Sequence, residues 1–149
     1  MKKRFGLLVL SLLLTCLLAA CGQTAPVTTE TGMNSVVKSY ESYLNAGDVK
    51  GAAALFETPS YISVVNRIDA AKGVIDDNTW NVYTDVEGWL ADTTKDAYHL
   101  TLSDCQLVTV RIVCQTKITV NGHTVEGTQE TAVQGSKITA ISIFNNSIE

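Results

Sequence analysis

The sequence predicts an α+β domain in which N-terminal helices pack into a curved antiparallel sheet. Three observations carry this prediction. Between residues 34 and 56 the apolar positions recur at helical spacing. From Tyr98 onward the period drops to two. Turn signals at Asn121-Gly122 and Gln134-Gly135-Ser136 cut that second region into hairpins. Helices first and strands after describe a helical layer on one face of an antiparallel sheet.

The chain opens with MKKRFGLLVLSLLLTCLLAAC. Positive residues precede an apolar run from Leu7 to Ala20, which is short of the ~20 residues a transmembrane helix requires. Residues 1–20 therefore read as a signal peptide. Leu18, Ala19, Ala20 and Cys21 resemble the bacterial lipobox, a resemblance that implies a diacylglyceryl or palmitate-type lipid on the Cys21 sulfur and a mature chain beginning there. Several acyl chains on one residue give stable anchoring, at roughly 0.8 kcal/mol per buried CH₂. The competing reading is a plain secretory signal with Cys21 a bystander. The implied location is the cell envelope, on the extracytoplasmic side of a membrane. Gly22 stands where an inner-membrane retention aspartate would, so an outer membrane is favoured if the host has one.

Residues 22–33 are small and polar up to Met33, and read with Cys21 as a tether over 21–33. Fully extended, it would reach about 40 Å at roughly 3.3–3.6 Å per residue. The folded domain is expected over residues 34–149. A single domain suits 149 residues. The 46% hydrophobic content overstates its core, because the leader is so apolar.

Within the domain, Val36, Val37, Tyr40, Tyr43 and Leu44 mark one helical face. Gly47 supplies a stop and Asp48 a new N-cap. Val49, Ala52, Ala53 and Phe56 continue into a second helix ending before Pro59. Tyr61, Val64, Val65 and Ile68 favour a third helix closed by Gly73, although β-branched YISVV would also suit a strand. DDNTWNVY at 76–83 reads as a turn leading into a short strand. Thr84 with Glu87 forms a capping-box pattern before a small helix at 85–93. Four strands are expected at 98–107, 109–120, 124–134 and 137–145.

Composition excludes some function classes. Of 11 Lys and Arg, three lie in the leader; the remaining eight face all fifteen Asp and Glu, a formal charge of −7. That balance excludes nucleic acid, whose phosphates need a basic footprint. It also rules out electrostatic adhesion to anionic lipid, leaving the lipid on Cys21 as the membrane contact.

With Cys16 in the leader and Cys21 acylated, Cys105 and Cys114 remain as a pair in an oxidising compartment. A hairpin centred near Thr109 places them opposite one another, so a disulfide is expected; two buried free thiols or a metal pair are the alternatives. No His or Cys cluster completes a metal sphere. The sequence offers no cofactor motif either.

The phrases VVKSYESYLNAGDVKGAAALF at 36–56 and QGSKITAISIF at 134–144 resemble the opening helix pair and closing strands of the nuclear transport factor 2-like superfamily. That superfamily includes SnoaL-type polyketide cyclases and ketosteroid isomerases. The resemblance implies a cone with a pocket at its open end; it carries no catalytic residue across.

Candidate chemistry is sparse. His99 lies opposite Leu100 and Leu102, Asp104 beside Cys105 offers a carboxylate, and Tyr40 or Tyr43 could donate into a pocket. His123 sits in the Asn-Gly turn, and Trp80 and Trp89 suit either ligand stacking or packing. The leading expectation is a non-catalytic tethered domain that binds a small apolar ligand or an envelope protein, with a second copy of the chain as a further candidate partner. The alternative is a lyase or isomerase acting on a cyclic or polyketide-like molecule, with His99, Asp104 and Tyr40 converging.

Overall fold

The computed structural model describes residues 29–69, 72 and 74–146. The signal peptide, Cys21 and most of the tether lie outside these residues. Among the described residues, three helices, α1 (Glu30–Asn45), α2 (Val49–Ala53) and α3 (Val86–Lys95), accompany six strands. The strands are β1 (Phe56–Asp69), β2 (Val74–Tyr83), β3 (His99–Val108), β4 (Arg111–Val120), β5 (His123–Gln134) and β6 (Lys137–Asn145). They form one sheet in the order β2-β1-β6-β5-β4-β3.

Helix α1 starts one turn earlier than the expected domain boundary. Thr29 caps it by accepting from the Gly32 N–H at 3.3 Å. Met33, placed with the tether by composition, is instead buried, and Val36, Val37, Tyr40 and Leu44 continue its stripe at helical spacing. Tyr43 drifts off that stripe and is exposed. The stop at Gly47, with φ +69°, and the N-cap at Asp48, accepting from Gly51 N–H at 2.8 Å, are both as expected. The second helix is shorter than expected, and Phe56 already belongs to β1.

The segment around YISVV is a strand, not a helix. Ile62 and Val64 point into the core, while Tyr61, Ser63 and Val65 occupy the outer face. The continuous apolar run arises because β1 is an interior strand with apolar groups on both faces, and a helical reading cannot separate the two. Its long partner β2 runs through DDNTWNVY, where only a short strand was expected.

The last four strands form the expected meander, and their bounds fall within a residue or two of prediction. Asn121 (φ 48°) and Gly122 (φ 83°) make the left-handed turn between β4 and β5. The sheet is nevertheless mixed: β1 pairs parallel with β6 while every other pairing is antiparallel. The first strand thus adds beside the last, giving a curved sheet left unclosed at β2 and β3.

Curvature has local causes. At Gly127 a Cβ would lie 2.3 Å from the Phe144 carbonyl oxygen, so glycine permits a close approach of β5 to β6. Asp104 takes φ 49° where the β3–β4 register shifts, as the extra residue of a bulge.

The core fills the concave side. Ile62, Leu100, Ile112, Ile118, Ile138 and Ile141 from the sheet meet Val37, Tyr40 and Leu44 from α1 and Leu90 from α3. Tyr40 packs edge-on to Phe56, with ring centroids 6.0 Å apart at 77°. Cys105 and Cys114 are joined by a disulfide across the β3–β4 hairpin. Among the described residues, no helix is long and apolar enough to cross a membrane.

Candidate ligand cavity

A cavity of about 370 Å³ lies between α3 and the concave face of the sheet. Its floor is apolar: Val64 and Ile68 from β1, Ile118 and Val120 from β4, and Ile143 from β6. Tyr83, Trp89 and Tyr98 supply aromatic walls, Tyr83 and Trp89 lying 6.1 Å apart with their rings tilted by 47°. Such a volume and lining suit a small organic molecule.

The placement of α3 follows from its sequence. Asp85, rather than the Thr84–Glu87 pair, is the N-cap: its Oδ1 accepts from Gly88 N–H at 2.9 Å. Val86 and Leu90, four residues apart, turn into the core. Asp85, Gly88, Trp89, Asp92, Thr93 and Asp96 follow i, i+3, i+4, i+7, i+8 and i+11, the adjacent helical stripe, and all six line the cavity. One helix therefore anchors the domain with one edge and walls the cavity with another.

Polar groups sit at both ends. Arg67, Asp85, Asp92 and Asp96 are exposed around the mouth. Asn145 is buried in the wall, only 3% exposed. Its Nδ2 donates to the Asn66 carbonyl at 2.8 Å, while its Oδ1 has no hydrogen-bond partner. Burial holds the Tyr98 phenol above its ordinary pKa, so it stays a neutral hydrogen-bonding group.

The residues singled out by sequence do not meet here. His99 is exposed on the outer face of β3, opposite Thr119. Asp104 is the exposed bulge residue, and Tyr40 is fully buried in the core with its hydroxyl unpartnered. None of the three lines the cavity. Tyr43 and His123 are exposed, and Trp80, 75% exposed, lies on the outer face with Nε1–H donating to Ser63 Oγ at 2.7 Å. Of the tryptophans only Trp89 reaches the cavity. The α3 stripe was readable as a spacing, but its carboxylates look like an ordinary solvated face until the sheet is placed beneath it.

No protein-family model matches the chain, and no curated protein does. Solved structures do. A nuclear transport factor 2-like protein of unknown function from Cytophaga hutchinsonii aligns with TM-score 0.61 and 11% identity, over 76% of this chain and 89% of its own. A putative ketosteroid isomerase from Kribbella flavida aligns with TM-score 0.60 and 12% identity, over 80% and 81%. The chain has the nuclear transport factor 2-like fold. A third such structure is the epoxide hydrolase/cyclase-like enzyme SalBIII of pyran ring formation in salinomycin, with TM-score 0.62, 8% identity and coverage of 78% and 92%. At these identities the shared property is the fold. The cavity here carries an acidic helix stripe and a buried amide.

Proposed function

We propose that the chain is a membrane-anchored lipoprotein whose domain binds a small, largely apolar ligand, without catalysis, in the cavity beneath α3. The cavity itself carries this reading: about 370 Å³ of aliphatic and aromatic lining, to which His99, Asp104 and Tyr40 contribute nothing. The lipobox-like Leu18–Cys21 segment supports the anchor, and the tether would hold the domain close to the envelope surface.

An isomerase or lyase is the competing reading, since solved neighbours include a putative ketosteroid isomerase and a cyclase-like enzyme. It would now rest on a cavity carboxylate with Tyr98. A general base of that kind is tuned by burial, and Asp85, Asp92 and Asp96 are all exposed. Binding is therefore the better supported role.

Two measurements test the proposal. Titration with the neutral dye N-phenyl-1-naphthylamine should give saturable fluorescence that Thr93→Trp, which fills the cavity from α3, reduces at least tenfold. Absence of saturable binding overturns the ligand reading. Intact mass of the membrane-extracted protein should show acylation that Cys21→Ser removes; an unchanged mass overturns the anchor.

A further inference from the structure

We propose that the apolar tip of the β3–β4 hairpin, Leu107, Val108 and Val110, inserts into the interface of the membrane that carries the lipid on Cys21, and so fixes which way the domain faces. This rests on the anchored half of the reading above and adds a protein-borne contact to the lipid. Strand β3 ends at Val108 and β4 begins at Arg111, so Thr109 and Val110 form the turn. Leu107, Val108 and Val110 are 36%, 51% and 67% exposed.

Such a turn is unfavourable in water. Hairpin turns select Gly, Asn, Asp or Ser, which tolerate a left-handed backbone or hydrogen-bond locally. The two other turns of the meander comply, with Asn121-Gly122 and Gly135-Ser136. The β3–β4 turn instead puts β-branched Thr109 at φ 59° and leaves the valines on either side of it in water. A departure from turn chemistry that exposes apolar groups together is accounted for by a second apolar surface. Charge begins directly behind the tip: Arg111 pairs with Glu130 at 2.8 Å, and Asp104 is exposed. Burial is therefore confined to the turn and the two residues before it, which suits the boundary between headgroups and acyl chains. The Cys105–Cys114 bridge joins the two arms behind this tip.

What meets the tip follows from where the chain enters the domain. Helix α1 lies antiparallel beside β3: Asn45 bonds to the backbone of Leu100, and Glu41 and Lys38 bond to that of Leu102. From Lys38 back to Thr29 is nine helical residues, about 14 Å, and about four strand residues cover the same distance. Thr29, the N-cap of α1, therefore stands at the hairpin end of the domain, level with Gln106. It follows Cys21 by eight positions, at most about 29 Å of extended chain. So short a lead presents to the membrane the end that bears the tip. The cavity lies at the other end: Ile118 and Val120 of its floor are seven and nine residues beyond Arg111, about 23–30 Å along β4. A domain seated on its tip thus turns the cavity toward the aqueous side, where ligand arrives from solution.

The test uses the acylated full-length protein in vesicles of phosphatidylcholine, which carry no net charge. Val110→Trp reports on the tip and His123→Trp on the turn at the opposite end of β4, each read as the emission added to that of native Trp80 and Trp89. Doxyl groups placed just below the headgroups should quench the Val110→Trp increment by about half or more, and leave the His123→Trp increment unquenched. Val108→Asp, combined with Val110→Trp, should abolish the quenching without changing acylation or flotation with the vesicles. Equal quenching at both ends, quenching that persists with Val108→Asp, or none at Val110→Trp in acylated protein that floats would overturn the tip contact and leave the anchor standing. An increment shielded from aqueous acrylamide but untouched by doxyl lipid would mean that a second copy of the chain covers the tip, which also overturns the proposal. Protein that is neither acylated nor floated removes the anchor, and the tip contact falls with it.

Discussion

Asn45 pairs with the backbone of Leu100 as another strand would: its Nδ2 donates to the Leu100 carbonyl at 2.7 Å and its Oδ1 accepts the Leu100 N–H at 2.8 Å. Two positions along, Glu41 Oε1 accepts the Leu102 N–H at 2.9 Å and Lys38 Nζ donates to the Leu102 carbonyl. Strand β3 is an edge of the sheet, and edges with unpaired backbone invite pairing with other chains. Helix α1 closes this one with side chains. Asn45→Ala leaves both Leu100 groups unpaired beside a side chain that is fully buried. The expected cost is about 2–3 kcal/mol, read as a lower urea midpoint, together with concentration-dependent light scattering. A midpoint within error of wild type would show that water replaces the amide at no cost.

That contact also shows what was legible in the sequence. Asn45 sits where two helices meet, and local pattern reads it only as a helix-ending residue. Period-two alternation and Asn121-Gly122 located β3 to β6 because an antiparallel meander is built from neighbours in sequence. Strand β1 was read as a helix in preference to a strand because its partner β6 pairs with it across 79 to 82 residues, and long-range parallel pairing leaves no local period. The lining of the cavity was missed for the same reason. The stripe from Asp85 to Asp96 and the amide of Asn145 face one space only after β6 is laid beside β1.

The Cys105–Cys114 bridge, with a sequence separation of 9, was visible once Cys16 was read as part of a leader and Cys21 as a lipid site, which left these two cysteines as a pair. Closing so short a loop stabilises by roughly 2–3 kcal/mol through the unfolded chain. Dithiothreitol should therefore lower the urea midpoint of the domain by the equivalent of that energy. Thiol counting on denatured, unreduced domain should find neither cysteine reactive. Two reactive thiols would remove the bridge from the account.

Burial lifts the Tyr40 phenol well above its ordinary pKa, with the nearby Tyr98 adding to the shift; burial likewise lifts Tyr98. The neutral form is thus favoured in the folded state more than in the unfolded one. Its contribution is complete below the unfolded value near 10 and declines as pH rises through 10 toward the folded values. Between about pH 9 and about pH 11 the unfolding free energy should fall, with a limiting slope of ~1.4 kcal/mol per pH unit for each tyrosine that titrates only on unfolding. Tyr40→Phe removes a buried hydroxyl that has no partner. That variant should be as stable as wild type or gain up to about 1 kcal/mol at neutral pH, and its alkaline slope should be shallower. An unchanged slope would place the titration elsewhere.

Asn66 stands at the bend of β1 with φ 57°, where the register to β2 shifts. Its Nδ2 donates to the Asn145 carbonyl at 3.0 Å, Asn145 returns the bond, and its Oδ1 accepts the Asn78 N–H at 3.1 Å. The residue combines a left-handed backbone with two side-chain bonds that fix the end of β6 and the middle of β2. Asn66→Gly loses the bonds but keeps the conformation; Asn66→Ala loses both. Alanine should therefore be the worse variant by about 1 kcal/mol, and glycine itself should fall below wild type by about 1–2 kcal/mol for the lost bonds. Equal stability of alanine and glycine would mean that β1 relaxes out of its bend, and the order of the two melting curves decides it.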